Sequence, residues 1–219
     1  MNPALAAVLA NPAIWRGGDC APEPAAMPSG HAALDAVLPV VCGMTGLAGP
    51  AYMLSTACSS SAKVFAAAQR LMHLGVCDAA LVGGVDSLCQ LTLRGFAGLE
   101  VLSPAPCRPF SALRAGINIG EGAALCLLER EGDGPARLLA VGESSDAFHM
   151  TSPHPEGLGA RLAMERALQG AGIGPADVDH INAHGTGTRQ NDSAEGAAIA
   201  GLFGPGMTVV ATKGYTGHQ

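Results

Sequence analysis

The sequence predicts a layered α/β/α domain, and three observations carry that prediction. Short apolar runs bounded by glycine or aspartate alternate after residue 40 with longer segments whose apolar residues recur at helical spacing. Aromatic residues make up only 4% of the chain beside 30 glycines, a composition that suits helices packed closely on a sheet. The 219 residues, 48% of them hydrophobic, are enough to bury a core. We therefore expect one domain, or two small ones.

The elements follow in order. Residues 1–39 are rich in alanine and proline, which predicts a weak helix and a linker, an extension or unrelated leader ahead of a core at 40–219. Apolar residues at helical spacing from Val64 to Met72, with Gly75 as a stop, predict a helix after Cys58. Further helices are predicted near 157–171 and 192–203. Buried strands are predicted at 79–82, 123–128, 138–144, 178–182 and 209–212.

Charge and cysteine patterns exclude several classes of protein. Twelve basic and 18 acidic residues give a net charge of −6, so neither nucleic acid nor an anionic membrane is an expected partner. The seven cysteines are an odd number without a Cys-x-x-Cys pair, and the histidines form no His-Glu-x-x-His, so neither disulfides nor a metal site is predicted. No apolar run reaches membrane-spanning length, and no signal peptide is visible. A reducing cytoplasm is the expected compartment.

Reactive residues concentrate in four segments, at 55–61, 146–153, 182–188 and 213–218. Cys58 stands at the start of the predicted helix, where the macrodipole and free N–H groups lower a thiol pKa, so it is the expected nucleophile and the most reactive thiol. His184 directly follows a predicted strand, the place where α/β folds hold their sites. His218 ends a glycine-rich turn after Lys213. We expect the two imidazoles to meet over the thiol.

Together these segments resemble the β-ketoacyl-[acyl-carrier-protein] synthases, condensing enzymes of fatty-acid and polyketide synthesis with a thiolase-like layered α/β/α/β/α fold. The resemblance runs from about residue 40 to 218. Because the family's chains are longer, it implies part of the N-terminal half and the start of the C-terminal half, a fold incomplete at both ends and little activity alone. Residues 1–39 resemble the start of RecA-like translesion-synthesis accessory proteins. The matching motifs are Thr-Ala-Cys-Ser-Ser-Ser at 56–61, Gly-Gly-Val-Asp at 83–86, Arg-Pro-Phe at 108–110, Gly-Glu-Gly at 120–122, Asp-Ala-Phe-His-Met-Thr-Ser-Pro at 146–153, His-Gly-Thr-Gly-Thr at 184–188 and Thr-Lys-Gly-Tyr-Thr-Gly-His at 212–218.

The resemblance also implies roles. Cys58 accepts the acyl chain as a thioester, while His184 and His218 hold the malonyl thioester and promote its decarboxylation. Lys213 tunes the site electrostatically, and Glu195 fixes that lysine. Substrates arrive on the phosphopantetheine of acyl carrier protein, without a metal or a further cofactor. The expected assembly is a homodimer or a heterodimer with a related synthase subunit. The residues that would line the phosphopantetheine tunnel are Thr151, Thr186 and Thr188.

Three functions stay open from the sequence. The first is decarboxylative condensation in fatty-acid or polyketide synthesis, including the aryl-polyene type. The second is a non-catalytic heterodimer partner or an inactive truncated fragment, which Cys58 disfavours because such partners lack the cysteine. The third is a Cys–His acyl hydrolase. The remaining cysteines are expected to be inert packing residues. His149 and His154 are expected either to contact substrate or to make loop hydrogen bonds.

Overall fold

The structure, a computed structural model, describes residues 37–149 and 151–219. The chain divides into two compact units after Thr56. The first unit contains helix α1, Val37–Thr45, which crosses the predicted boundary at residue 40. The predicted N-terminal extension lies outside the described residues up to residue 36, so that boundary stays a prediction. Among the described residues, every helix is too short or too polar to cross a bilayer.

The described residues of the second unit form five helices and four strands. Strands β1 (Ala79–Asp86) and β2 (Gly122–Glu129) pair antiparallel, with Ala79 opposite Glu129 and Asp86 opposite Gly122. Strands β3 (His180–Asn182) and β4 (Thr208–Val210) pair in parallel, with His180 opposite Thr208. In chain order the elements are α2 Ser60–His73, β1 Ala79–Asp86, α3 Gln90–Gly98, β2 Gly122–Glu129, α4 Leu158–Ala171, a 3-10 turn Pro175–Asp177, β3 His180–Asn182, α5 Arg189–Phe203, β4 Thr208–Val210 and α6 Lys213–Thr216.

Helix α2 forms and ends as its sequence predicts. Its buried face consists of three successive alanines and Met72. Gly75 then takes a left-handed conformation (φ +70°) and donates its N–H to the carbonyl of Met72, which stops the helix. The first turn of α2 contacts β1 at Gly84, where a Cβ atom would lie 2.8 Å from the Cβ of Ser61. Glycine at this position therefore lets the helix start approach the strand.

Helices α4 and α5 pack against each other through small residues. Gly157, in a left-handed conformation ahead of α4, lies where a Cβ would be 2.9 Å from the Cβ of Ala198 in α5. The hydroxyl of Thr188 caps α5 by accepting the N–H of Asn191 at 3.3 Å. This cap starts α5 three residues before the predicted position. The predicted helices near 157–171 and 192–203 are confirmed.

The predicted strand at 138–144 is wrong, although these residues are all described. A strand needs a hydrogen-bonded neighbour, and this segment instead runs beside α4. The hydroxyl of Ser144 donates to the carbonyl of Gly159 at 2.6 Å, and Gly142 lies against the backbone of Ala163. Leu138 and Leu139 remain 41% and 54% exposed. The apolar run therefore belongs to no sheet.

One carboxylate ties this segment to the helix that follows Cys58. Glu143 lies 3.1 Å from the amine of Lys63 and 2.8 Å from the guanidinium of Arg70, both on α2. The hydrogen bonds from Arg70 and Lys63 hold the pKa of Glu143 below its usual value. We call these contacts the Glu143 ion pairs. They join the segment before α4 to α2.

Candidate active site

A tight turn places Cys58 immediately before α2. Ala57 has φ 53°, a left-handed conformation that is strained for a residue with a side chain. Its carbonyl accepts the N–H of Ser60 at 3.0 Å. Ser59 is the N-cap of α2, so Cys58 lies one residue outside the helix. The turn leaves the Cys58 side chain exposed to solvent on one side.

The structure brings Cys58 and both predicted histidines together. The Sγ atom of Cys58 lies 2.9 Å from Nε2 of His218. The imidazole rings of His184 and His218 meet edge to face, with their centroids 5.3 Å apart and their planes 73° apart. His218 is 6% exposed. The two imidazoles therefore meet beside the thiol, as the order of strands and turns predicts.

Backbone hydrogen bonds position the segment of His184. This residue follows β3 and sits opposite the first turns of α5. The carboxylate of Glu195 accepts the N–H of His184 at 2.6 Å and that of Gly185 at 2.8 Å. It also accepts from the amide of Asn191 at 3.3 Å. Helix α5 thus holds the turn that carries the first imidazole.

A second set of contacts positions His218. Its N–H donates to the carbonyl of Asn118 at 2.7 Å, and its carbonyl accepts the N–H of Gly120 at 2.9 Å. Gly217 (φ +75°) and Gly120 lie so close that a Cβ on Gly217 would be 2.7 Å from the backbone nitrogen of Gly120. The ring of Phe96, on α3, packs on the imidazole with centroids 5.8 Å apart. His218 is therefore fixed by backbone and by ring packing.

Burial makes both imidazoles weak bases. It lowers the pKa of His184 from 6.5 to about 4, and the charge of Lys213 acts in the same direction. Burial likewise lowers the pKa of His218 to about 4, helped by His184 and then by Lys213. Both rings are therefore neutral at physiological pH. Each neutral ring carries one N–H donor and one acceptor nitrogen.

The pKa of Cys58 is raised, so the predicted lowering by the helix N-terminus is wrong. Protein atoms crowd the sulfur on the sides that do not face solvent, and this desolvation outweighs the other effects. Its own backbone N–H and the charge of Lys213 lower the pKa, whereas Asp86 raises it further. Because Cys58 precedes the N-cap, it also lies outside the first turn. The resting group is a thiol.

Lys213 and Glu195 interact through charge. Burial lowers the pKa of Lys213, and the carboxylate of Glu195 is the largest effect that opposes this lowering. The oxygens of Glu195 are hydrogen-bonded to the His184 turn. Glu195 therefore hydrogen-bonds directly to the His184 turn and acts on Lys213 through its charge. The tuning role of Lys213 and the fixing role of Glu195 stay predictions.

Of the three predicted tunnel threonines, the structure brings two together. The hydroxyls of Thr186 and Thr188 lie 2.9 Å apart. Thr151 belongs to a different loop, where its N–H donates to Nδ1 of His149 at 3.1 Å. In that loop, Nδ1 of His154 accepts the N–H of Glu156. Both loop histidines thus make local hydrogen bonds, and their contact with substrate stays untested.

Sequence reasoning missed two groups beside the site. Asp192 is 3% exposed, and its carboxylate accepts the N–H of Phe110 at 2.7 Å and that of Gly187 at 3.1 Å. Its position in the first turn of α5 was the available signal. Asn118 was the other omission, and its contacts become visible only in the fold.

The other thiols are not all buried packing residues. Cys107 is buried, but Cys89 and Cys126 are exposed, which contradicts the packing role expected for them. Cys89 is the N-cap of α3, and its sulfur lies 3.2 Å from the hydroxyl of Thr92. Hydrogen bonding from Thr92 lowers the pKa of Cys89. Cys89 is therefore a second candidate for a reactive thiol.

The three side chains at the site also offer a set of soft donors. One atom each of Cys58, His184 and His218 lies within 4.8 Å of the others. Sulfur and imidazole nitrogen are donor types that zinc accepts. The sequence shows no such set because the three residues are far apart along the chain. The expectation that the protein uses no metal stays a prediction.

The fold and the site define an α/β protein with a cysteine thiol beside two neutral histidines. Two family models match this chain: "Beta-ketoacyl synthase, N-terminal domain" over residues 25–134 and "Beta-ketoacyl synthase, C-terminal domain" over residues 136–219. Together they cover most of the sequence. The chain belongs to the β-ketoacyl synthase family.

Individual relatives agree with the family models. Nodulation protein E of Rhizobium meliloti is 39% identical over 184 residues, which cover 79% of this chain and 45% of that protein. The 3-oxoacyl-[acyl-carrier-protein] synthase 2 of Mycobacterium tuberculosis is 40% identical over 180 residues, covering 75% and 43%. This chain therefore spans less than half the length of these relatives.

Solved structures establish the fold. A ketosynthase from Xenorhabdus doucetiae, in complex with its chain length factor, superposes with a TM-score of 0.79 at 49% identity. The match covers 82% of this chain and 45% of that one. A β-ketoacyl synthase from Burkholderia phymatum gives a TM-score of 0.75 at 32% identity, covering 82% and 47%. The predicted thiolase-like fold and family are confirmed. The N-terminal family model begins at residue 25, and these matches lend no support to the RecA-like resemblance of residues 1–39.

Proposed function

We propose that this chain carries the reactive groups of a β-ketoacyl synthase. The reaction is decarboxylative condensation of an acyl thioester on Cys58 with a malonyl group on acyl carrier protein. The 2.9 Å contact between Cys58 Sγ and His218 Nε2, with His184 packed against the second ring, is the observation that carries the proposal. The pathway is fatty-acid or polyketide synthesis, including the aryl-polyene type.

The first step moves the acyl chain to Cys58. Its sulfur attacks the carbonyl carbon of the acyl thioester, a new C–S bond forms, and the carrier thiol leaves with the proton from Cys58. Lys213 favours the transient thiolate because its charge lowers the Cys58 pKa. The contact with His218 Nε2 orients the sulfur.

The second step removes the carboxylate of the malonyl group. The bond to the carboxylate carbon breaks, carbon dioxide leaves, and the electron pair forms an enolate whose oxygen needs hydrogen-bond donors. His184 and His218 supply two N–H groups. Because their pKa values of about 4 keep them neutral, they donate without a competing protonation equilibrium near pH 7. This step explains why the site needs two neutral imidazoles.

The third step forms the carbon–carbon bond. The enolate carbon attacks the carbonyl of acyl-Cys58, and the backbone N–H of Cys58 at its tight turn is one donor to the resulting oxyanion. Collapse expels the Cys58 thiolate, which takes a proton from solvent. The β-ketoacyl product remains on the carrier protein. The malonyl and acyl groups are thus converted into the β-ketoacyl product and carbon dioxide, and the proton taken up by Cys58 restores its thiol.

Binding follows the same proposal. Thr151, Thr186 and Thr188 line the approach of phosphopantetheine, and acyl carrier protein delivers both substrates in the cytoplasm. The proposed partner is supported by a solved complex of a type II polyketide acyl-carrier protein with its ketosynthase. This chain matches that complex with 29% identity and a TM-score of 0.78. The assembly is a homodimer or a heterodimer with a related synthase subunit, without a metal or a further cofactor.

The test combines an acyl carrier-protein primer with isotopically labelled malonyl carrier protein and the full chain. The expected products are labelled carbon dioxide and a β-ketoacyl carrier. Cys58→Ala should abolish condensation yet retain malonyl decarboxylation, because both imidazoles remain. Cys77→Ala is the matched control and should behave as the unsubstituted chain.

Two other outcomes would favour the alternatives. Cys58 is exposed, so water has a route to the acyl carbonyl of the thioester and can expel the cysteine thiol. Release of free acid without a β-ketoacyl product would therefore identify a hydrolase. Condensation that appears only after a related synthase subunit is added, and that survives Cys58→Ala in this chain, would identify a non-catalytic heterodimer partner. Condensation that survives Cys58→Ala would contradict the proposed nucleophile.

A further inference from the structure

Asn118 is the centre of a hydrogen-bond cluster next to His218. Its Oδ1 accepts the N–H of Cys107 at 2.6 Å. Its Nδ2 donates to the carbonyls of Ser103 at 3.1 Å and Ala105 at 3.2 Å. A carboxamide is the side chain that combines an acceptor with two donors in one plane. The turn at 103–107 is thus closed by one side chain.

The main chain of the same residue holds His218. The carbonyl of Asn118 accepts the N–H of His218 at 2.7 Å. The next residue, Ile119, forms a parallel bridge with His218, and Gly120 closes the bridge through its N–H. Any movement of the backbone at 118 is therefore passed to His218.

The turn closed by Asn118 also reaches the loop of the other histidine. Cys107 is 6% exposed, and its thiol donates to the carbonyl of Thr186 at 3.2 Å. Thr186, 7% exposed, follows His184 by two residues. Gly116 donates its N–H to the carbonyl of Gly187 in the same loop. One side chain is therefore connected to the segments of both imidazoles.

The ring of His218 depends strongly on this backbone support. Its Nδ1 atom is buried and has no hydrogen-bond partner among the described residues. Phe96 and His184 pack against the ring at tilted angles, and the thiol contacts Nε2. Because Nδ1 has no partner among those residues, a shift of the main chain at His218 moves Nε2 relative to the thiol.

We propose that Asn118 is a positioning residue that sets the alignment of His218 with Cys58 and, through Cys107, with His184. Its chemical consequence rests on the proposed function, because the aligned imidazoles hold the malonyl enolate. The alignment itself is a property of the fold and can be measured without any substrate.

The perturbations remove the amide while retaining its size. Asn118→Leu deletes all three side-chain hydrogen bonds. Asn118→Asp keeps the acceptor for Cys107 but places a carboxylate oxygen, in place of Nδ2, against the two carbonyls. This variant carries the test if the leucine variant does not fold. Ser144→Ala is the matched control, because it removes one side-chain-to-backbone hydrogen bond, to Gly159, outside this cluster.

The first readout is malonyl decarboxylation by the full chain. Since an ångström of misplacement costs about 10²-fold in rate, we expect kcat to fall about 10- to 100-fold in either Asn118 variant, with KM changed less than about threefold. Ser144→Ala should keep the original kcat. An unchanged kcat, or equal changes in kcat and KM matched by Ser144→Ala, would overturn the proposal.

The second readout is independent of activity. Imidazole NMR signals of His218 and His184 should shift in the Asn118 variants and not in Ser144→Ala. If the unsubstituted chain fails to decarboxylate while the signals shift as expected, the proposed function fails and the positioning role stands. If the signals of both rings stay in place, the positioning role is refuted whatever the activity.

Discussion

A methyl group added at Gly84 should push the start of α2 away from β1. The new Cβ would overlap the hydroxyl of Ser61 and lie 2.8 Å from its Cβ. Rotation of the hydroxyl relieves the first contact but not the second. Since ordinary contact begins at 3.4 Å, the helix start must move by about 0.6 Å, the difference between 3.4 and 2.8 Å.

This displacement has an energetic and a catalytic consequence. Overpacking of a close contact costs about 1–3 kcal/mol, so Gly84→Ala should lower the free energy of unfolding by that amount. Cys58 lies three residues before Ser61, on the segment that must move. A shift of about half an ångström should slow acylation of Cys58 by roughly tenfold, on the scale of 10²-fold per ångström.

The assay pairs chemical unfolding with the rate of Cys58 acylation by an acyl thioester, followed by peptide mass spectrometry. Gly95→Ala is the control, because a Cβ there meets nothing within 4 Å, and it should be neutral or stabilising. Adding Ser61→Gly to Gly84→Ala should restore most of the acylation rate. A Gly84→Ala chain with unchanged stability and acylation, or one that Ser61→Gly fails to rescue, would refute the reasoning.

Three further outcomes are expected. The pKa values of His184 and His218 are about 4 in the fold and 6.5 when free, so the unfolded chain binds more protons between these values. The free energy of unfolding, measured by denaturant titration at several pH values, should therefore fall between pH 6.5 and pH 4 by at most about 3 kcal/mol per ring. A flat profile would contradict the burial argument. Iodoacetamide at pH 7 should label Cys89 before Cys58, because the pKa of Cys89 is lowered and that of Cys58 raised; labelling of Cys58 first would restore the expectation drawn from the sequence. Glu143→Gln should lower the free energy of unfolding by about 1 kcal/mol or less at low salt and not at all in 1 M salt, because the Glu143 ion pairs are partly exposed. Their contribution is present above the ordinary glutamate pKa and is lost as pH falls through the lowered pKa of Glu143. A loss of stability that does not depend on salt would indicate packing instead.

The site could be predicted where chemistry and local pattern coincide. Cys58 precedes a helix with a clear apolar face and a glycine stop, and His184 follows a strand, so both positions are encoded by neighbours in sequence. His218 ends a glycine-rich turn after Lys213, and the resemblance to the family supplied its expected role. The sign of the Cys58 pKa shift could not be obtained in this way, because it depends on how many atoms from distant segments surround the sulfur.

The misses in the fold have a similar cause. Residues 138–144 have the composition of a strand, but a strand exists only when another one pairs with it, and α4 occupies that side instead. Helix α3 contains two glycines, which weaken the local helical signal, and its Phe96 packs on His218 across a long sequence separation. Asn118 looks like an ordinary polar residue until the turn at 103–107 is folded around it.

The touching backbones of Gly120 and Gly217 have an evolutionary consequence. A side chain on Gly217 would meet the backbone nitrogen of Gly120. A side chain on Gly120 would lie 3.2 Å from the Cα of Gly217 and overlap the carbonyl oxygen of Thr216. Substitution at Gly217 would displace the next residue, His218, and substitution at Gly120 would press on Gly217 and reach His218 through it. The other position is already glycine, so no smaller residue there can restore the fit. Descendants of this sequence can alter the environment of that imidazole only from positions whose side chains face it, such as Phe96.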